Sequence, residues 1–197
     1  MSAINLWLIR HGQSTANVGT WSADPMVITL TEVGRRQALS VAAQIQQCPN
    51  LLITSPATRA LETAQTIHDR WPDMATAVWP IQEFNYLSAA KYQHQSSTLR
   101  KQAVKDYWER CDPHYRDGAD AESYADFIKR VEDFHVSVLG LKGFIVAVGH
   151  GQFIKAYDYC LLHGYICTPE SMHRFRQIET ADPVANAEII KYDDVNS

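Results

Sequence analysis

The run Ile4-Asn5-Leu6-Trp7-Leu8-Ile9 limits what this chain can become more than any other stretch. It is apolar except at Asn5. A strand of that kind is buried on both faces, which places it inside a parallel sheet with helices above and below. It stops at Arg10-His11-Gly12. In open α/β sheets ligands bind just beyond the carboxyl ends of the strands, and Arg10 and His11 belong there. Gly12 lets the backbone turn and approach a ligand closely. Ser14, Thr15 and Asn17 then offer small polar groups. A guanidinium beside an imidazole in that place fits one task above others, holding a phosphate and attacking it.

A second run, Phe144-Ile145-Val146-Ala147-Val148, ends in Gly149-His150-Gly151. Of the eight histidines, only His11 and His150 are flanked by glycine immediately after a buried strand. Between these runs, strand and helix signals alternate. Thr31 reads as an N-cap with Glu32 in the first turn, and Ala38, Val41, Ala42 and Ile45 form one apolar face. Leu51-Leu52-Ile53-Thr54 is a short strand. Ser55-Pro56 reads as a cap followed by proline at the first helical position, opening a helix whose buried face carries Ala60, Ala64, Ile67 and Trp71. Residues 78–81 read as a weak edge strand. Ser123-x-x-Asp126 opens a long helix through Tyr124, Phe127, Val131, Phe134 and Val138, closed by Gly140. Residues 152–162 read as a helix, 163–186 as mainly loop, and 187–192 as a last edge strand.

This order predicts an α/β fold: a three-layer α/β/α sandwich with a mainly parallel central sheet and right-handed crossovers. The loosened stretch 84–120 reads as a short helical lid insertion. It carries Tyr86, Tyr92, Tyr107, Trp108 and Tyr115, with an excess of basic over acidic side chains between Lys91 and Arg116. A lid over the sheet's end and a solvated helix pair fit this pattern equally well.

A chain of 197 residues suits one domain spanning 1–197. A hydrophobic fraction of 46% and a charged fraction of 20% are those of a globular protein. The net charge of −4, with no basic run, argues against a nucleic-acid partner. No segment is apolar enough to cross a membrane, and no export signal is visible, so the expected location is cytoplasmic. Cys48, Cys111, Cys160 and Cys167 show no metal-site spacing, and reduced thiols are expected, with a Cys160–Cys167 disulfide left open. Oligomeric state is not readable.

Two segments carry a resemblance. Arg10-His11-Gly12-Gln13-Ser14-x-x-Asn17 is similar to the signature of the histidine phosphatase superfamily, also called phosphoglycerate mutase-like, branch 1. Ser55-Pro56-x-x-Arg59-Ala60-x-x-Thr63-Ala64 resembles the family's second signature. The residues agree with it independently: a cation such as Arg59 one turn into a helix is unfavourable by about 0.3–1 kcal/mol unless an anion compensates, and helix N-termini hold phosphates.

The resemblance implies a phosphomonoesterase working through a covalent phosphohistidine. His11 is then the nucleophile, and Arg10, Arg59, His150, Asn17 and Gly151 surround the phosphate. A carbonyl, that of Gly12 being the candidate, orients the His11 ring. Glu83 matches the place of the family's general acid and base, with Glu32 or Asp24 as fallbacks. Many members continue with a Gly-x-Trp-Glu-Gly-like segment, whereas this chain has Phe84-Asn85-Tyr86-Leu87-Ser88. No metal or cofactor is implied, because arginines supply the positive charge, and the partner is a small phosphomonoester. Two other readings compete: a phosphoglycerate or phosphosugar mutase, and a catalytically weak phospho-ligand binder on the same fold.

Overall fold

A computed structural model of the chain describes residues 4–19, 22, 24–93, 95–193 and 195. Their five strands are β1 (Ile4–Arg10), β2 (Leu51–Thr54), β3 (Thr76–Val78), β4 (Gly143–Gly149) and β5 (Ile189–Tyr192). They form one sheet in the order β3-β2-β4-β1-β5. All pairings are parallel except β1 with β5, which is antiparallel. The helices are α1 (Glu32–Gln44), α2 (Thr58–His68), α3 (Ala89–Tyr92), α4 (Ser97–Arg110), α5 (Tyr124–Leu139), α6 (Gly151–His163) and α7 (Pro169–Ala181).

Side chains alternate across the two faces of the sheet. Leu6, Leu8, Ile145 and Ala147 enter a core with Phe127 and Val131 of α5, Phe153 and Tyr157 of α6, and Phe175 of α7. Ile9, Val146 and Val148 enter the opposite core, with Val41 and Ala42 of α1 and Ala60 and Ala64 of α2. That double burial is why the two central strands read as continuous apolar runs. Each Leu or Ile buried there contributes roughly 1.5–3 kcal/mol relative to exposure. The result is the expected α/β sandwich with a mostly parallel sheet.

Register positions the chemistry. In the β1–β4 pair Ile9 lies opposite Val148 and Arg10 opposite Gly149, and the His11 amide donates to the Gly149 carbonyl at 3.0 Å. His11 and His150 therefore leave the sheet side by side at its carboxyl edge.

Several elements differ from the sequence reading. Residues 163–186 are not mainly loop, because α7 occupies Pro169–Ala181, with Thr168 capping Ser171 and proline in the first turn. Its buried face is narrow, limited to Ser171, Met172 and Phe175, so the apolar repeat is faint. Ser55 does not cap α2; the N-cap is Ala57, without a side-chain bond. The edge strand β3 lies at Thr76–Val78 rather than 78–81, since Pro80 interrupts pairing. Trp71 lies beyond the end of α2, under the Arg70 guanidinium.

Residues 84–120 contain α3 and α4, and Tyr107 and Trp108 there are core residues packed around Phe84. All four cysteines are free thiols, and burial pushes Cys160 up to about 12. The irregular run 20–30 lies partly outside the described residues. Among those described, no helix is long and apolar enough to cross a membrane.

Candidate active site

The loop after β1 is held by close backbone packing. A Cβ on Gly12 would collide with the Gly34 carbonyl, and a Cβ on Gly34 with the Gln13 carbonyl. The Gly12 amide donates to Thr63 Oγ1 at 3.1 Å, and Thr63 in turn donates to the Arg59 carbonyl at 2.8 Å. Thr63 thus ties the β1 loop to the first turn of α2.

His11 is 3% exposed. Its Nδ1 lies 2.7 Å from the Gly12 carbonyl, while its Nε2 accepts from Arg59 Nε at 3.1 Å. An arginine nitrogen only donates, so His11 is neutral, with hydrogen on Nδ1 and a lone pair on Nε2. Burial above all, then Arg59 and more weakly Arg10, lower its pKa to about 3 against the Gly12 bond. The ring is held in the form a nucleophile needs.

Arg59 sits at the second position of α2, near the positive end of the helix dipole. Besides His11, its guanidinium reaches His150 Nδ1 at 3.0 Å and the Pro25 carbonyl at 2.6 Å. The His11 and His150 rings are 5.0 Å apart between centroids. His150 is fully buried, and burial, reinforced by Arg59 and His11, holds its pKa well below the ordinary histidine value.

Arg10 donates to the Val184 carbonyl, while its Nε is buried without a hydrogen-bond partner among the described residues. That N–H lies beside Gly151, where a Cβ would stand 3.4 Å from it. A buried orphan donor on a guanidinium is costly unless an acceptor reaches it, and a phosphate oxygen is such an acceptor.

Glu83 follows β3 on an irregular segment. Its Oε1 accepts from the Gln152 amide in the first turn of α6 at 3.0 Å and from the Phe84 amide at 3.3 Å. Burial raises its pKa, opposed by Arg10 and Arg59. Arg130 of α5 secures this segment through the Pro80 and Gln82 carbonyls, at 3.0 and 2.8 Å, and pairs with Glu122 at 2.6 Å.

Of the residues singled out in the sequence, Arg10, His11, Arg59 and His150 converge. Glu83 lies close enough to interact with both arginines, and Gly151 borders Arg10. Asn17 is exposed, and its Oδ1 accepts from the Ser14 amide and hydroxyl and from Asn186. Glu32 is not at the site; it is exposed and pairs with Arg35 and Arg36 on its own helix. Asp24 lines a cavity of about 550 Å³ together with Arg59 and Glu83. Sequence reasoning missed Ser55, whose Oγ lies 2.8 Å from His150 Nε2, and Thr63. Both stand in the segment around Arg59, Thr63 one helical turn after it. The Pro25 carbonyl and Asn186 carry no sequence signal, being loop groups brought in by the fold.

The chain is 35% identical over 71 residues to a glucosyl-3-phosphoglycerate phosphatase of Mycobacterium tuberculosis, 36% of this chain and 32% of that protein. The matched segment therefore spans about a third of the curated relatives' length. Among solved structures, an α-ribazole-5'-P phosphatase from Escherichia coli, itself described as putative, superposes with a TM-score of 0.72 at 22% identity, over 98% of this chain and 91% of that one. A phosphoserine phosphatase from Entamoeba histolytica in complex with 3-phosphoglyceric acid gives 0.69 at 23%, over 95% and 89%. The family model of the histidine phosphatase superfamily (branch 1) matches residues 6–193, and the chain belongs to that superfamily.

Proposed function

We propose that this protein is a phosphomonoesterase that transfers the phosphoryl group of a small phosphate ester to His11 and then to water. The observation that carries the reading is the neutral His11, its Nε2 lone pair turned toward the Arg59 fork and its other nitrogen fixed by Gly12. A phosphate takes over the donors that Arg59 directs at the two imidazoles, and it gives the orphan Arg10 Nε an acceptor. Two guanidiniums then stabilise charge on the equatorial oxygens during transfer, an effect worth about 10²–10³-fold per donor in comparable sites.

In the first step the Nε2–P bond forms as the P–O bond to the leaving alcohol breaks. The alkoxide takes a proton from Glu83, whose pKa burial raises against the pull of Arg10 and Arg59. In the second step the same carboxylate accepts a proton from water, whose oxygen attacks phosphorus and releases His11. His150, Asn17 and Gly151 complete the cradle in this reading. The leaving group occupies the cavity beside Glu83, which adjoins a second of about 460 Å³ through Pro25, Phe84, Asn85 and Ala89. The second cavity reaches Arg100 and Lys101 on α4, so α3 and α4 wall the leaving-group space as a lid. A phosphorylated sugar or acid, the kind of compound in the names of the relatives, fits that space.

The test is release of inorganic phosphate from p-nitrophenyl phosphate, with an acid-labile, alkali-stable phosphoryl label on the protein. Both disappear in His11→Ala. An active His11→Ala protein overturns the nucleophile. No turnover with retained phosphate-ester binding would favour the binder. Transfer that outpaces hydrolysis and needs a bisphosphorylated primer would favour the mutase.

A further inference from the structure

Both ring nitrogens of His150, like those of His11, have identifiable partners, and those of His150 are side chains on opposite sides of the ring. Nδ1 faces the cradle and takes a hydrogen bond from Arg59 Nη2 at 3.0 Å. Nε2 faces the interior, 2.8 Å from Ser55 Oγ. Because arginine cannot accept, Nδ1 presents a lone pair and the hydrogen of the neutral ring sits on Nε2. Ser55 is therefore the acceptor. Its Oγ also takes the Ala57 amide at 3.3 Å, and its own amide bonds to Val148. Ser55 and His150 are both 0% exposed, so the Nε2 hydrogen has no solvent route outward.

We propose that Ser55, by accepting the Nε2 hydrogen of His150, leaves Nδ1 as the bare nitrogen facing the phosphate cradle, so that an oxyanion is held there together with one proton taken up at Nδ1. The inference rests on the phosphate-cradle reading above and specifies its protonation. A lone pair directed at a phosphate oxygen repels it, and the ring becomes a donor only by gaining hydrogen on the cradle side. A monoanionic ester supplies that hydrogen itself: the phosphate O–H bond breaks, the Nδ1–H bond forms, and the Nε2–H bond stays with Ser55. A dianion takes the proton from solvent. The charged and titratable groups facing this ring are Arg59 on α2, Arg10 at the end of β1, His11 just after it, and Arg130 on α5, with Glu83 across Arg10 and Arg59. The cations keep the ring neutral until an anion offsets them.

Tungstate is the probe, since it remains a dianion at neutral pH. Its affinity for the wild type should fall about tenfold per pH unit between pH 7 and 8, the slope for uptake of one proton. Calorimetry in buffers of different ionisation enthalpy should count the same proton. The uptake should persist in Glu83→Gln, and ¹⁵N spectra of the bound protein should show both nitrogens of His150 protonated. Ser55→Thr keeps the hydroxyl and should keep the slope. Ser55→Ala should flatten it and weaken binding. Tungstate binding without proton uptake, uptake that vanishes in Glu83→Gln, or an unchanged slope in a folded Ser55→Ala protein overturns the proposal while leaving the cradle intact. Failure of the wild type to bind tungstate overturns the cradle itself.

Discussion

Lowering the pH should destabilise this protein through His11, by an amount that can be worked out. The folded-state pKa is about 3 against an ordinary value of 6.5. Below pH 6.5 the unfolded chain protonates this residue while the folded chain does not, so stability falls as pH falls and the loss saturates near the folded value. Each pH unit in that window is worth about 1.4 kcal/mol, so His11 alone removes roughly 2–3 kcal/mol between pH 6.5 and 4.5. The structural cause is direct: protonating Nε2 breaks the bond from Arg59 Nε and sets two cations 3.1 Å apart. His150 adds a loss of the same sign. Glu83, whose folded pKa is raised, acts oppositely, since its stabilising contribution is present at low pH and is lost as pH rises through the folded value.

Urea unfolding of the wild type and of His11→Asn at pH 6.5 and 4.5 isolates the effect, because contributions common to both proteins cancel in the double difference. The wild type should lose roughly 2–3 kcal/mol more than the variant over this interval, about 1 M in midpoint for a slope near 2 kcal/mol per molar. Equal losses in the two proteins would refute the claim that His11 is held neutral, and with it the argument for a ready nucleophile.

Three further substitutions probe the site from different sides, and a fourth serves as a control. Glu83→Gln should slow hydrolysis of alkyl phosphates by about 10²–10⁴-fold and of p-nitrophenyl phosphate far less, because that leaving group needs little protonation; equal losses in steady-state assays would remove Glu83 from the acid role. Thr63→Val preserves shape but leaves the buried Gly12 amide unpaired, which should cost about 1–3 kcal/mol in chemical denaturation and lower turnover through the displaced His11 loop. Gly34→Ala forces a methyl group against the Gln13 carbonyl and should destabilise by about 1–3 kcal/mol, whereas Gly140→Ala, with its nearest neighbour 3.4 Å away, should be close to neutral in thermal melts.

What was legible in the sequence follows from which interactions are local. Strands β1 and β4 announced themselves because a strand covered on both faces has no polar positions to spare, and Arg10, His11 and His150 came with them. Arg59 was legible as a cation in the first turn of a helix, where its charge is out of place without an anion. Glu83 was reached only through resemblance. What fixes it is Arg130 gripping carbonyls 48 and 50 residues away, and no periodicity encodes that. The aromatics of 84–120 looked like a solvated or lidding surface because their charged neighbours dominate the count, yet Phe84 gathers Tyr86, Tyr107 and Trp108 into the core. Helix α7 was missed despite its Thr168-Pro169 start, since a narrow apolar stripe gives little periodic signal.

Ser55 was misread for a more instructive reason. A serine before proline has the chemistry of a cap, but its hydroxyl is bonded to His150, and α2 begins at Thr58. The clue lay in pairing rather than propensity. Parallel register sets Thr54 of β2 beside Val148 of β4, so Ser55 and His150, each just past its strand, leave the sheet at the same edge within reach of each other. Once two strands are known to be parallel neighbours, the side chains immediately beyond their carboxyl ends are better judged as partners of each other than as caps of the helices that follow.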